Sequence, residues 1–251
     1  MCGNWRVRIF RRKSELNFAD LHSNLSGLGL ATTNLGAHVA ILDLDDPTGV
    51  FKQLGSQVRF FEVDLGEEIS EDIAAVVCCA GILGRAKILG RQNIAFSIEV
   101  FQKVVAVNLI GTVDVIRQLL PYTATQTPDG DGERGVIIFT VSLAAAFDGQ
   151  PGQVAYSATK GAIASMTLPL ARDLVQHGIR AVSISPGLFE TSVVTDMPKK
   201  ANDSLQRALE FPSRPGRSDE VAELVGHSIS NSMLNGTMVR LGGATGMPSW
   251  L

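Results

Sequence analysis

"TVSLAAAFDGQPGQVAYSATKGAIASM", residues 140–166, is the stretch on which the reading turns. It opens on the end of an apolar run, "GVIIFTVS" (135–142), whose β-branched and aromatic content suits a buried strand. It closes inside "YSATKGAIASMTLPLARDLVQHG" (156–178), where apolar residues recur at three and four spacing and Gly178 offers a C-terminal cap. A strand thus delivers Ser142 to its end, and a helix carries Tyr156 and Lys160 four residues apart on one face. A free phenol titrates near ~10, and an ammonium beside it favours the phenolate. Bringing that value to about 7 takes on the order of 4 kcal/mol. Such a tyrosine can trade a proton with an alcohol or carbonyl oxygen, and Ser142 can hold the same oxygen. The pair alone equally suits a packing tyrosine beside a solvated lysine, so its neighbours must decide.

Working outward, strand-like runs alternate with helical patterns. The strands are "HVAILDL" (38–44), "VRFFEV" (58–63), "IAAVVCCA" (73–80), "IRAVSISP" (179–186) and "GTMVRLGG" (236–243), the last after an asparagine-glycine turn. Between them, "IEVFQKVVAVNLIGTVDVIRQLL" (98–120) and "SDEVAELVGHSIS" (218–230) have helical periodicity, and Asp219 and Glu220 suit a helix N-terminus. Strands alternating with helices argue for a parallel sheet wrapped by helices, in a single domain spanning 1–251.

Before the second strand stands "LHSNLSGLGLATTNLGAHVAILDLDD" (21–46). Small residues in such a loop let backbone amides and a helix N-terminus approach a pyrophosphate. Gly27 and Gly29, with Ser26 and Leu28, supply that approach, and Asp43 at the following strand's end suits ribose hydroxyls. Its charge would repel a 2′-phosphate, which favours NAD over NADP. The other reading of the glycines is a tight turn. Ser23 stands where a first glycine belongs, at a cost of about 1 kcal/mol if that position needs positive φ.

Together Ser142, Tyr156, Lys160, Asn108 in "VNLIGT", "CAG" (79–81) and "PGLFET" (186–191) resemble the short-chain dehydrogenase/reductase family, from about residue 24 to the end. "AAFDGQPGQVAYSATKG", "MTLPLARDL" and "FPSRPGR" are most similar to its 3-hydroxyacyl-CoA dehydrogenase branch, as is the long segment 84–97. The resemblance implies a Rossmann-like doubly wound sheet and NAD as cofactor. It implies that Tyr156 is the general acid/base, that Lys160 tunes it with help from oxidised nicotinamide and binds ribose, that Ser142 orients the substrate, and that Asn108 supports a water path to Lys160. Asp64 and Leu65 would lie at adenine, Cys79, Ala80 and Gly81 along the adenosine half, and Pro186, Gly187, Leu188 and Thr191 beside nicotinamide. It further implies a homo-oligomer, with the helix at 156–178 at one interface, and a lid over Met197–Phe211 whose Lys199 and Lys200 could meet CoA phosphates. The bland alternative for that segment is a solvated loop.

Departures from the pattern cluster in the first half. His22 and Ser23 replace Thr-Gly, Cys78 replaces asparagine, and "RVRIF" and "ELNFADL" compete as a mediocre first strand, so residues 1–20 are expected to be poorly ordered. An added alanine in Ala144–Ala146 is expected to be absorbed as a bulge. Only residues 64–72 join the third strand to the fourth. At about 30 Å extended they can cross as a strap but not as a helix. The helix usually found there is therefore expected to be missing, leaving a strip of sheet exposed or covered by the N-terminal segment or a partner chain.

Bulk properties exclude other classes. A net charge of −3 gives no field drawing the chain to nucleic acid or membrane, and 45% hydrophobic with 19% charged residues is ordinary for a globular protein. Cys2, Cys78 and Cys79 form neither a disulfide framework nor a metal site, which fits a reducing compartment. The arginines before Glu15 suit either a transit peptide or a basic surface strand, so the compartment is mitochondrial or cytoplasmic. Two rival functions remain: a non-catalytic or truncated member acting in binding or assembly, and an extended epimerase, which normally needs a longer chain.

Overall fold

The computed structural model describes residues 73–190 and 206–246, with Arg91 as backbone only, together with the backbone of residues 7–10, 39–43 and 58–62. Its centre is a sheet of seven strands: β1 (Val7–Phe10), β2 (Val39–Asp43), β3 (Val58–Glu62), β4 (Ala75–Cys78), β5 (Gly135–Thr140), β6 (Ile179–Pro186) and β7 (Thr237–Leu241). Their order is β3-β2-β1-β4-β5-β6-β7, that of a doubly wound sheet. "RVRIF" therefore wins over "ELNFADL" as first strand. It pairs on both sides and so is an inner strand of the sheet.

Its direction departs from a fully parallel sheet. Pairings β2–β3, β4–β5, β5–β6 and β6–β7 are parallel, whereas β1 runs antiparallel to both neighbours. Val7 lies opposite Leu42 and Cys78, and Phe10 opposite Val39 and Ala75. Without β1, the facing edges of β2 and β4 would carry unpaired amides and carbonyls. A strand of either direction satisfies them, since side chains alternate with the same period both ways. The consequence is positional. The chain leaves β1 at the edge where the parallel strands begin, opposite their C-terminal ends.

Alternation along β4, β5 and β6 builds two apolar layers. Val76, Cys78, Ile137, Phe139 and Ala181 face one side with Ile116, Leu119 and Ile163. Ala75, Val77, Val136, Ile138 and Ile184 face the other, against Ala222 and Val225. Each such buried Ile, Leu or Phe contributes about 1.5–3 kcal/mol over exposure. Cys78 and Cys79 take opposite faces, as their adjacency predicts.

The periodic stretch from Ile98 is one continuous helical rod: α1 (Ile98–Val105), a π-helical turn (Ala106–Ile110) and α2 (Gly111–Thr125). α3 (Leu143–Ala146) is a single turn, so the added alanine is absorbed in a helix and not in a bulge. α4 (Val154–Asp173) precedes a short 3-10 turn that ends at Gly178. There φ is +63° and a Cβ would stand 2.2 Å from the Gly132 carbonyl oxygen, so only glycine fits. α5 (Ser218–Ser230) matches its predicted span. Glu220 closes its first turn by accepting from the Arg217 amide at 2.7 Å and from Arg214 Nη2 at 2.7 Å. The expected strap at 64–72 lies outside the described residues.

Candidate active site

The C-terminal edge of the parallel strands gathers the chemistry-bearing residues. β5 ends two residues before Ser142, which precedes the turn of α3. Tyr156 and Lys160 share the first half of α4, which packs beside β6 and α1. The Tyr156 phenol shares a hydrogen bond with Ser142. Lys160 Nζ stands 5.9 Å from the Tyr156 ring centroid and donates to the Thr140 carbonyl at 2.5 Å. One strand end thus fixes both members of the pair, through Ser142 and through the Thr140 backbone.

Asn108 occupies the middle of the π turn, wholly buried. Its Oδ1 accepts from the Ile82 amide at 2.8 Å, and its Nδ2 donates to the Ile82 carbonyl at 3.0 Å. The side chain therefore pins the exit of β4, where Cys79, Ala80 and Gly81 lie. A Cβ on Gly81 would stand 3.5 Å from Asn108 Oδ1 and 3.7 Å from Lys160 Nζ, ordinary contact distances, so this segment runs directly beside the ammonium. Thr140 Oγ1 donates to Cys79 Sγ at 3.4 Å, joining the ends of β4 and β5. Pro186 ends β6, and Gly187 follows it so closely that a Cβ there would meet the Gly242 Cα at 3.0 Å and Leu143 Cδ1 at 3.4 Å. Leu188 is buried.

Electrostatics correct one expectation. Burial pushes the Tyr156 phenol above its ordinary value, while the Ser142 hydrogen bond pulls it down. Burial also brings Lys160 from 10.5 down to about 8, opposed by the neighbouring Cys79 and Cys78. The sequence shows a cation beside a phenol but not the desolvation that acts on both. In this arrangement the phenol is a proton donor rather than a phenolate. Burial drives the Cys78 thiol far above its usual range, so it stays neutral.

Ser142, Tyr156, Lys160, Asn108 and Gly81 are brought together, and Cys79, Ala80, Pro186, Gly187 and Leu188 lie on the same edge. Asp43 closes β2 at that edge too. Ser26, Gly27, Leu28, Gly29, Asp64, Leu65 and Thr191, with the lid segment through Lys199 and Lys200, lie outside the described residues. Two contributors escaped the sequence reading: the Thr140 carbonyl, which any residue type supplies, and Thr159, whose partner is 51 positions away. The only signal for Thr159 was a hydroxyl on the buried side of a helix. A lysine ammonium beside a glycine, with serine and tyrosine hydroxyls near it, is the donor chemistry that a hydroxyl-rich ribose takes, so the chemistry of the described residues fits the nicotinamide-ribose end of a dinucleotide. The residues assigned to its phosphates are not among them.

Residues 25–202 match the family model described as short chain dehydrogenase. The chain is 44% identical over 243 residues to 3-hydroxyacyl-CoA dehydrogenase type-2 of Bos taurus, covering 88% of this chain and 92% of that protein. The Homo sapiens protein of the same name is 42% identical over 241 residues, with shares of 88% and 92%. A crystal structure of 3-hydroxyacyl-CoA dehydrogenase type-2 from Mycobacterium avium superposes with a TM-score of 0.79 at 29% identity, covering 88% of this chain and 91% of the other. By sequence and fold alike, the chain belongs to the short-chain dehydrogenase family.

Proposed function

We propose that the protein is an NAD-dependent oxidoreductase interconverting a secondary alcohol and a ketone, with a 3-hydroxyacyl-CoA or a similar hydrophobic substrate. The observation that carries this reading is the convergence of Ser142, Tyr156 and Lys160 at the end of β5. Bound NAD supplies or accepts the hydride. In the reducing direction the protonated hydroxyl of the half-buried Tyr156 donates its proton to the substrate carbonyl oxygen. Ser142 holds that oxygen in line. Lys160, pinned by Thr140, keeps a positive charge at the phenol and meets ribose hydroxyls. Asn108 holds the Gly81–Ile82 segment that borders the ammonium.

The acyl-CoA substrate is favoured by the names of the bovine and human relatives. NAD over NADP is favoured by an acid at the end of β2. A homo-oligomer is favoured by apolar side chains exposed on α2 and α4, Val113, Tyr122 and Leu168 among them. The decisive assay follows NADH consumption with acetoacetyl-CoA, simple ketones and steroids, and repeats each with NADPH. Acetoacetyl-CoA with NADH is expected to be fastest. No NADH binding at millimolar concentration would refute the enzymatic reading and favour a binding or assembly protein on the same fold. A specific observation supports that rival: β1 exits at the edge opposite the site, so it does not run directly into a phosphate-binding turn there.

A further inference from the structure

We infer that Thr159 is a positioning residue, whose hydroxyl sets the hand of the Asn108 amide and couples the π turn to the helical turn carrying Tyr156 and Lys160. Thr159 is fully buried. Its Oγ1 accepts from Asn108 Nδ2 at 3.2 Å and donates to the Tyr156 carbonyl at 2.8 Å. A hydroxyl has one proton to give. With that proton on the Tyr156 carbonyl, the hydroxyl can only accept from Asn108, so the Asn108 NH2 must face Thr159. The Ile82 amide imposes the same choice from the other side, since it needs an acceptor and finds Oδ1. Two independent partners thus fix one orientation of a buried amide.

The polarity runs in one direction. Asn108 donates to Thr159, and Thr159 donates to the backbone of Tyr156. At its far end Asn108 clamps Ile82 through both backbone groups, beside the Gly81 that borders Lys160 Nζ. The chain of contacts therefore spans the π turn, the exit of β4 and the first turns of α4, which together enclose the ammonium. A buried network with every member satisfied holds one geometry, and an unmade bond inside it is costly. Valine keeps the shape of threonine but neither accepts nor donates. With valine, Nδ2 keeps only Ile82, and the amide loses the partner that ties it to α4.

This inference rests on the proposed roles of Tyr156 and Lys160. The experiment compares Thr159→Val and Thr159→Ser with the unsubstituted protein in kcat, cofactor KM, the pH profile of alcohol oxidation and Tm. It also measures hydrogen exchange of the Asn108 side-chain amide by NMR. Thr159→Val is expected to lower kcat about 10- to 100-fold, the size of loss that small misplacements of reacting groups cause. Cofactor KM should stay within a factor of three, the rising limb should move to higher pH, and Asn108 NH2 exchange should quicken at least tenfold. Thr159→Ser, which restores the hydroxyl, should stay within threefold of the parent in kcat. Unchanged kcat in Thr159→Val, or an equal loss in Thr159→Ser, overturns the assignment. So does failure of both Thr159→Val and Thr159→Ala to fold, because the hydroxyl is then structural. If the unsubstituted protein shows no turnover, the proposed function fails instead, and the Asn108 exchange measurement alone decides the positioning role.

Discussion

Two regions of this sheet solve the same backbone problem differently. From β4 to β7 every strand is parallel, and the aliphatic and aromatic side chains of β4, β5 and β6 fall into two layers. At β1 the slot is filled by a strand of four residues running the other way. Hydrogen-bond satisfaction alone accepts either solution. Function does not, because a parallel strand delivers its C-terminal end to the catalytic edge and a reversed one delivers its N-terminal end. The tyrosine-lysine chemistry draws on β4, β5, α4 and the π turn and needs nothing from β1. Phosphate binding in this family's architecture depends on the turn that leaves β1.

Four tests press on that contrast. The largest effect is expected from Tyr156→Phe, which should cut turnover about 10³-fold by removing the proton donor. NADH affinity by fluorescence titration should stay within threefold, and an equal loss of both would remove the role assigned to the phenol. Next, Lys160→Met should lower turnover about 100-fold yet raise stability at pH 7. Lys160 titrates near 8 when folded against 10.5 ordinarily, so the unfolded chain binds more protons between those values. Stability of the parent therefore rises as pH climbs from about 8 to 10.5, and burial of the charge costs up to about 3 kcal/mol below that window. The Tm advantage of Lys160→Met should shrink between pH 7 and pH 10. A constant advantage would show that the lysine charge is not what strains the site.

A smaller effect belongs to Glu220, whose carboxyl is held at about 2 mainly by the Arg214 hydrogen bond. Its contribution is present above the ordinary value of 4.5 and is lost as pH falls from there towards 2. The pair is partly exposed, so Glu220→Gln should cost only about 1 kcal/mol at pH 7 and nothing near pH 2, read by urea unfolding. The smallest effect in energy discriminates most sharply in geometry. Val7 lies opposite Cys78, where facing Cα atoms of an antiparallel pair are about 4.5–5.5 Å apart and within disulfide reach. Val7→Cys should crosslink to Cys78 on mild oxidation, whereas Phe10→Cys should not. The opposite pattern would mean that β1 runs parallel.

Legibility in the sequence tracks the range of the cause. Gly178, the span 218–230 and the sharing of one helix face by Tyr156 and Lys160 are set by neighbours a few residues away, and all hold. The strand order was legible through the resemblance to a doubly wound sheet. The direction of β1 was hidden because "VRIF" alternates identically when reversed. The rise in the Tyr156 value was hidden because desolvation comes from distant segments packing over α4. The π turn was masked too: one added residue only drifts the apolar stripe of 98–125, which still reads as a helix.

That added residue carries a consequence. A one-residue deletion within 106–110 would turn the rod into regular α-helix, a local gain in hydrogen-bond geometry. The flanking helices would keep their faces, because the wider π turn already absorbs the extra residue, but the residues within the turn would be re-aimed. Asn108 could then not face Ile82 and Thr159 while both flanking helices kept their packing. A better helix would lose the aim of the amide, and selection for thermal robustness alone would erode the very irregularity that sets it.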